Sequence, residues 1–192
     1  MHYKDSDAIV LGLPRGGMVT AYEIAKTLNL PLDMKVVRKI GAPSNPELAV
    51  GALTASGTIY LNKPLMESLG LSIDMLAPTI ELEKKEALRR LKAYRGDRPP
   101  LEIKDKTIIL VDDGIATGAT MYAAIESVKL HGAKKVIVAV PVGSQEKLSE
   151  IIGKVDEVIC LEQPSQFIAI SLLYDSFAQV TDDQVIEIMQ SM

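Results

Sequence analysis

Two adjacent carboxylates, Asp112 and Asp113, stand where a buried strand is predicted to end. They follow the apolar run Ile108–Val111 and precede a loop of small residues, Gly114–Thr120, that leads into a predicted helix. Ligands of open α/β sheets bind at the carboxyl ends of the strands, and the N–H groups of a helix N-terminus favour an anion. The pattern therefore predicts a phosphate in the loop, with the carboxylates facing sugar hydroxyls or a metal ion.

The residues of the loop suit this role individually. Thr117 and Thr120 offer hydroxyl donors, and Gly118 allows the backbone to approach a ligand closely because it has no Cβ. A simpler interpretation is a turn, since Asp-Asp-Gly is common in turns and a helix N-cap would explain one of the acids. The combination of strand, paired acids and small loop favours the ligand site.

A second loop, Leu13–Gly17, also lies between a predicted strand and a predicted helix. In it, Arg15 is followed by two glycines, a combination suited to a pyrophosphate that meets a cationic side chain and exposed N–H groups. The alternative is a glycine-rich turn with a solvated arginine. Arg38 and Lys39 end the predicted second strand, at the same edge of the sheet, and either join this anion site or are simply solvated.

Short apolar runs alternate with amphipathic patterns along the chain. Strands separated by helices predict right-handed crossovers and an α/β fold with a mostly parallel sheet. The predicted strands are 8–13, 34–37, 107–111, 135–142 and 155–161, the predicted helices are 18–28, 74–95, 118–131, 145–152 and 182–190, and 42–62 is predicted as a loop followed by a hairpin.

We expect a single domain over 1–192. Its core comprises 8–41 and 104–161, and an excursion at 42–98 contains the hairpin and a charged helix. The segment 162–192 is a C-terminal appendage.

The 192 residues carry 21 basic and 25 acidic side chains, a net charge of −4, and a single cysteine, Cys160. This composition excludes an internal disulfide or a cysteine-based zinc site and argues against a strongly basic nucleic-acid footprint. The polar start of the chain lacks the order of a signal peptide, and no apolar run approaches the roughly 20 residues of a spanning helix. We therefore expect a cytoplasmic protein with neither a membrane nor a nucleic acid as partner.

The segment Ile108–Thr120 resembles the motif with which type I phosphoribosyltransferases bind 5-phosphoribosyl 1-pyrophosphate (PRPP): four apolar residues, two acids and a small Thr-Gly loop. The resemblance implies a three-layer α/β/α fold with a mostly parallel central sheet, a flexible loop within 42–62 and a C-terminal hood at 162–192. Further matches to one group of these proteins are Leu13–Gly17, Arg38–Pro43, Asn45–Ala49, Tyr94–Gly96, Val140–Val142 and Gln179–Asp182.

The resemblance also implies roles for individual residues. Asp112 and Asp113 would hold the ribose hydroxyls and, with Arg38 and Lys39, form the catalytic set. A cis peptide would join Pro14 to Arg15. No residue would bind Mg²⁺ directly, since PRPP would hold it. The residues expected to bind the ribose and 5-phosphate are Asp112, Asp113, Gly114, Ile115, Ala116, Thr117, Gly118, Ala119 and Thr120, and those expected to bind pyrophosphate are Arg15, Gly16, Gly17, Arg38 and Lys39.

The stretch 164–177 resembles the hood of purine-type enzymes, in which a ring stacks on the base. Phe167 and Tyr174 are therefore the predicted base-binding residues, and stacking on one base is worth about 1–3 kcal/mol. The alternative is that these rings fill a small core with Phe177. Ala116 stands where 6-oxopurine enzymes carry an acid, which argues against a hypoxanthine or guanine enzyme that uses that carboxylate. Glu47, in the predicted flexible loop, is a candidate acid or base.

The resemblance thus implies a PRPP- and Mg²⁺-dependent transferase that joins a phosphoribosyl group to a nucleobase-like nitrogen, releases pyrophosphate and forms a homodimer. A non-catalytic sensor of PRPP or a nucleotide on the same fold is the alternative. A dehydrogenase-type nucleotide site is disfavoured, because neither glycine cluster has the G-x-G-x-x-G spacing. The acceptor base is left open.

Overall fold

A computed structural model of the protein describes residues 2–164, 167 and 169–192. Ser165, Gln166 and Ile168 of the predicted hood lie outside the described residues. The elements in chain order are β1 (Ile9–Gly12), α1 (Gly17–Leu28), β2 (Leu32–Met34), β3 (Val37–Ala42), β4 (Asn45–Thr54), β5 (Ile59–Leu61), α2 (Lys63–Ser68), α3 (Ile73–Arg95), β6 (Thr107–Val111), α4 (Ala119–Leu130), β7 (Lys135–Val142), α5 (Gln145–Ile152), β8 (Glu157–Glu162), a 3-10 turn (Ile170–Leu173) and α6 (Asp182–Gln190).

The central sheet has five strands in the order β2-β1-β6-β7-β8, and every neighbouring pair is parallel. Its inner strands are buried because helices cover both faces, as the apolar runs of β1, β6 and β7 require. Residues of α1, α3 and α6 form a core on one face, and residues of α4 and α5 form a core on the other. The predicted three-layer α/β/α fold with a parallel sheet is confirmed.

A second sheet, β3-β4-β5, is antiparallel and corrects the sequence-based prediction at two places. The predicted strand 34–37 is two strands, which belong to different sheets. Lys35 N–H still bonds to Gly12 of the parallel sheet, whereas the Val36 carbonyl accepts from Ala55 of the antiparallel sheet. Most of the predicted loop at the start of 42–62 is β-structure, since β3 extends to Ala42 and β4 begins at Asn45. The hairpin prediction is right for β4 and β5.

The remaining elements follow the sequence closely. The bounds predicted for β6, β7, α5 and α6 are those observed, and α1, α3, α4 and β8 differ by one or two residues at their ends. The short helix α2 and the 3-10 turn were not predicted. Cys160 is half-buried on the edge strand β8. Within the described ranges, no helix has both the length and the apolar character needed to cross a membrane.

Candidate active site

The acidic pair, Asp112 and Asp113, follows β6 at the carboxyl edge of the parallel sheet, and both residues are half-buried. The Asp113 N–H donates to the Asp112 carboxylate at 2.9 Å. Burial, followed by the charge of Asp113, raises the pKa of the Asp112 carboxyl well above its usual range. Burial also raises the pKa of Asp113, while the Lys39 ammonium opposes that rise. Two carboxylates held together at low solvation form a site that a cation or hydroxyl donors would stabilise.

The Arg–Gly loop, Leu13–Gly17, packs directly against the acidic pair. The Leu13 N–H donates to the Val111 carbonyl at 2.8 Å, which ties the end of β1 to the end of β6. A Cβ on Gly17 would lie 2.8 Å from the Asp112 Cα and from the Val111 carbonyl oxygen, so only glycine fits there. The peptide bond between Pro14 and Arg15 is cis, as the resemblance implied.

A Cβ on Gly16 would overlap the Asp113 carboxylate. The glycines of the Arg–Gly loop therefore bring its backbone into contact with the acidic pair, although the two motifs are far apart in sequence.

Arg15 has a carboxylate partner at the start of α6. Its Nη1 lies 3.4 Å from an Asp182 oxygen, and the same oxygen accepts the Tyr94 hydroxyl at 2.8 Å. Thr181 caps α6 in a capping box, which fixes the helix end that carries Asp182. The sequence shows the helix start but gives no signal for its contact with Arg15, so this partner was not predicted.

The phosphate loop, Ala116–Thr120, lies beside the acidic pair and enters α4. Its base is held by Ile115, which donates to the Val142 carbonyl and accepts from the Ser144 N–H. Gly118 precedes the helix with φ 77°, a left-handed conformation that favours glycine. Ala116 and Thr117 are exposed, and the first turn of α4 contains no acidic residue. The loop therefore presents backbone N–H groups and the positive end of a helix to solvent, where an anion binds well.

Arg38 and Lys39 lie beside the site, but on a different strand from the predicted one. They lie within β3 of the antiparallel sheet instead of ending a strand of the parallel sheet. A cavity of about 560 Å³, the basic cavity, brings them together with Pro14 and Thr120. Lys39 is exposed and close enough to the acidic pair to oppose the rise in the pKa of both carboxyls. Arg38 and Lys39 therefore lie near the Arg–Gly loop and the start of α4, but on a strand other than the predicted one.

Arg38 also has an acidic partner, because its Nε donates to Glu83 of α3 at 2.6 Å. Both side chains are less than one-third exposed, which strengthens such a pair relative to one on an open surface. Glu47, the candidate acid or base, also lines the basic cavity. Glu83 was not predicted, since its contact depends on how α3 packs against β3.

The hood covers the other side of the acidic pair. The Tyr174 hydroxyl donates to the Asp113 carbonyl at 2.6 Å, and Ile170 fills the space beside Gly114. The Tyr174 and Phe177 rings stack obliquely with their centroids 5.2 Å apart. A cavity of about 350 Å³, the hood cavity, is lined by both rings together with Asp113, Arg15, Gly16 and neighbouring hood residues.

The structure describes the surroundings of only one of the two predicted base-binding residues. Tyr174 lines the hood cavity. Phe167 is half-buried, and since its neighbours lie outside the described residues, its stacking role stays a prediction. Phe177 lines the cavity but was not among the predicted base-binding residues, although its closeness to Tyr174 in sequence was a usable signal.

Paired acids, an arginine-bearing loop and a helix N-terminus meet at the carboxyl edge of a parallel sheet, an arrangement that is suited to a phosphorylated ligand in α/β proteins. Residues 1–176 match the family described as "Phosphoribosyl transferase domain", and the chain belongs to this family. The family resemblance carried by the motifs is thereby confirmed.

Similar proteins agree with this assignment. "Putative phosphoribosyl transferase Rv0571c" of Mycobacterium tuberculosis is 41% identical over 178 residues, covering 93% of this chain and 40% of that protein. A uracil phosphoribosyltransferase of Pyrococcus furiosus is 27% identical over 169 residues, 81% of this chain and 68% of that one. The crystal structure of TT1426 from Thermus thermophilus has a TM-score of 0.81 at 38% identity, covering 97% of this chain and 88% of that chain. The chain thus spans less than half the length of its mycobacterial relative.

Proposed function

We propose that the protein transfers the 5-phosphoribosyl group of PRPP to a nitrogen of a nucleobase-like acceptor, with Mg²⁺ and with release of pyrophosphate. The observation that carries this proposal is the convergence of the acidic pair, the Arg–Gly loop and the phosphate loop at one edge of the parallel sheet. The family membership of the chain supports the same chemistry.

The proposed position of PRPP follows from the charges around the acidic pair. The 5-phosphate lies on the phosphate loop, where exposed N–H groups and the α4 N-terminus favour an anion. The ribose hydroxyls donate to Asp112 and Asp113, each of which can accept two hydrogen bonds. The pyrophosphate then extends towards Arg15 on one side and towards Arg38 and Lys39 on the other.

In the proposed reaction the bond from the ribosyl C1 to pyrophosphate breaks, a bond from C1 to the acceptor nitrogen forms, and that nitrogen loses its proton. Arg15, Arg38 and Lys39 stabilise the negative charge that develops on the leaving group. The acidic pair stabilises the positive charge that develops on the ribose. To meet pyrophosphate, Arg15 and Arg38 exchange their carboxylate partners for phosphate oxygens, so the two arginines are held in place before the substrate arrives.

The site fits Mg²⁺ that enters with PRPP. In the described part of the chain, no group of three or more His, Cys, Asp or Glu side chains could hold a metal ion. The acidic pair offers hard oxygen donors, and a nearby cation would stabilise its ionised form against the burial that raises both pKa values. We propose that PRPP supplies most of the ligands of Mg²⁺, which when bound neutralises charge on the leaving pyrophosphate.

The hood cavity is the proposed acceptor site. The Tyr174 and Phe177 rings give it an aromatic wall beside Asp113, which suits a planar heterocycle. Uracil is a reasonable first acceptor to test, since one relative is a uracil phosphoribosyltransferase. Ala116 offers no acid or base to the acceptor, and Glu47 lies in the basic cavity instead. A water molecule is therefore the proposed proton acceptor.

Pyrophosphate release tests this function directly. The protein is incubated with PRPP and MgCl₂, together with uracil, adenine, hypoxanthine, guanine or orotate in parallel reactions. We expect release with at least one base, dependence on that base, and loss of release on chelation of Mg²⁺. Binding of PRPP without turnover of any base would replace the transferase with the sensor. Failure to bind PRPP would contradict both functions.

A further inference from the structure

A separate cavity of about 400 Å³ lies beside β2, the edge strand of the parallel sheet, and we call it the side cavity. It is enclosed by the end of β2, the turn between β4 and β5, the segment Pro100–Ile103 and the C-terminal end of α4. None of the residues in the acidic pair, the Arg–Gly loop or the phosphate loop lines it. The proposed transferase reaction therefore does not account for it.

Two cations line the side cavity, Lys35 and Arg95. Arg95 is only 12% exposed and forms a bidentate pair with the buried Asp33, at 2.8 and 3.1 Å. Asp33 also accepts the N–H groups of Met34 and Leu101, so its acceptor capacity is largely used. The Arg95 Nε–H is nevertheless buried and has no hydrogen-bond partner among the described residues. A buried donor without a partner costs free energy, so the Arg95 guanidinium is not fully compensated by Asp33.

Lys35 is the second cation that lines the side cavity. Its ammonium lies 3.5 Å from the Ser56 hydroxyl and makes no ion pair within the described residues. Burial and the nearby Arg95 guanidinium lower the pKa of Lys35 to about 8, and Asp33 opposes this only in part. Glu102 and His131 are the other titratable groups that line the cavity. Lys35 is thus a half-buried cation beside another cation, an arrangement that an anion would stabilise.

The remaining wall of the side cavity is mostly apolar. It includes Leu11, Val36, Leu91, Leu101 and Ile103. An inorganic ion would leave this wall in contact with water, whereas a ligand with an apolar body would cover it.

We propose that the side cavity is a binding site for a small organic anion, whose carboxylate or phosphate head meets Lys35, Ser56 and the Arg95 guanidinium and whose apolar body lies against Leu11, Val36 and Ile103. The site is distinct from the proposed PRPP site and does not depend on the transferase function.

Protection of Lys35 from acetylation tests the proposal. The full chain is treated with limiting acetic anhydride at pH 8, with and without benzoate or phenyl phosphate, and acetylation of each lysine is followed by peptide mass spectrometry. We expect either probe to slow acetylation of Lys35 at least tenfold. Lys84, exposed on α3, is the matched lysine whose acetylation should not change.

Two variants separate binding from folding. Arg95→Lys keeps a cation for Asp33 but removes the guanidinium from the cavity wall, and Ser56→Ala removes the hydroxyl contact. We expect each to weaken the protection of Lys35 about fivefold or more while circular dichroism stays that of the wild type. If Arg95→Lys fails to fold, the protection of Lys35 in Ser56→Ala is compared with that in the wild type.

Equal acetylation of Lys35 with and without both probes would overturn the proposal. Protection that persists unchanged in Ser56→Ala and in a folded Arg95→Lys would overturn the assigned contacts. The Asp113→Asn variant, which weakens the proposed PRPP site, should leave protection of Lys35 as in the wild type.

Discussion

The parallel and antiparallel sheets supply the site with residues in different ways. The carboxyl ends of β1 and β6 are neighbours in the parallel sheet, so the Arg–Gly loop and the acidic pair meet because of the strand order itself. The antiparallel sheet brings Arg38 and Lys39 from the middle of β3, and Arg38 is held by Glu83 of α3. We therefore propose that the parallel edge fixes the ligand position, while the antiparallel sheet supplies cations whose availability can be adjusted.

The largest effect on stability and PRPP binding should come from a substitution at the carboxyl edge of the parallel sheet. Gly17→Ala places a Cβ 2.8 Å from the backbone of Asp112 and Val111, which cannot move without disturbing the acidic pair. We expect a loss of about 1–3 kcal/mol in the free energy of unfolding and loss of detectable PRPP binding. Urea denaturation and calorimetric titration of PRPP measure the two effects.

Gly153→Ala is the control for that substitution. Gly153 ends α5 with φ −72°, and the nearest atom to an added Cβ is 3.9 Å away. This variant should keep its stability within about 1 kcal/mol. Wild-type PRPP binding by Gly17→Ala would contradict the tight packing of the two loops.

Asp113→Asn should have the next largest effect. It keeps the shape of the side chain but removes the charge proposed to face the ribose and its developing positive charge. A hydrogen bond to a charged group is worth about 1.5–3 kcal/mol, so we expect kcat/KM for PRPP to fall about 10- to 100-fold in the pyrophosphate assay. An unchanged kcat/KM would remove Asp113 from the site.

Glu83→Gln tests whether the ion pair with Glu83 limits the availability of Arg38 for PRPP. The variant weakens the hold on Arg38, which we propose must leave Glu83 to bind pyrophosphate. We expect KM for PRPP to fall about fivefold, equivalent to about 1 kcal/mol, with kcat unchanged. Glu81→Gln, an exposed position on the same helix, should change neither constant. A rise in KM for Glu83→Gln would mean that Glu83 positions Arg38 for binding instead of competing for it.

Tyr174→Phe should have a smaller effect than Glu83→Gln, and the effect should be on binding of the acceptor base. It removes the hydroxyl that bonds to the Asp113 carbonyl and leaves the ring in the hood cavity. We expect KM for the base to rise about threefold, since a neutral hydrogen bond contributes about 0.5–1.5 kcal/mol. Phe167→Leu, assayed alongside, decides the predicted stacking role, because loss of a stacked ring should raise the same KM.

Tyr60→Phe is the control for Tyr174→Phe, because its hydroxyl has no hydrogen bond among the described residues and its ring packs on Tyr122. An unchanged KM for the base in both Tyr174→Phe and Phe167→Leu would place the acceptor outside the hood.

The smallest expected effect is on stability against pH. The pKa values of Asp112 and Asp113 are raised in the folded chain above the usual 3.8, so the folded state holds these protons more tightly than the unfolded state. The stability they contribute when protonated is therefore lost as pH rises from about 3.8 through the raised values. Asp113→Asn should gain stability over the wild type across this interval, and urea titrations at pH 4 to 8 would measure it. An equal difference at every pH would contradict the raised pKa values.

Much of the parallel sheet could be predicted because its signals are local. Apolar runs, a Gly-Thr loop and paired acids lie within short segments, and the order of strands and helices implies which edges meet. The bounds of β6 and β7, and the meeting of the Arg–Gly loop with the acidic pair at one edge of the sheet, could be predicted from these signals.

The remaining features depend on contacts that no local pattern specifies. The continuous run from Met34 to Lys39 gives no sign that the chain changes sheets at Val36, where hydrogen bonding switches from Gly12 to Ala55. The pairing of Arg15 with Asp182 likewise joins residues at opposite ends of the chain. The contact of Arg15 with Asp182 depends on how α6 packs on the core, and no short segment of the sequence specifies that packing.

Calorimetric titration of PRPP with Mg²⁺ into the wild type and the Asp112→Asn/Asp113→Asn double variant would decide whether the acidic pair is the centre of the PRPP site. We expect saturable binding of one PRPP per chain to the wild type and at least a hundredfold weaker binding to the double variant, with both proteins folded. Equal affinities for PRPP would contradict the assignment of the acidic pair as the centre of the site.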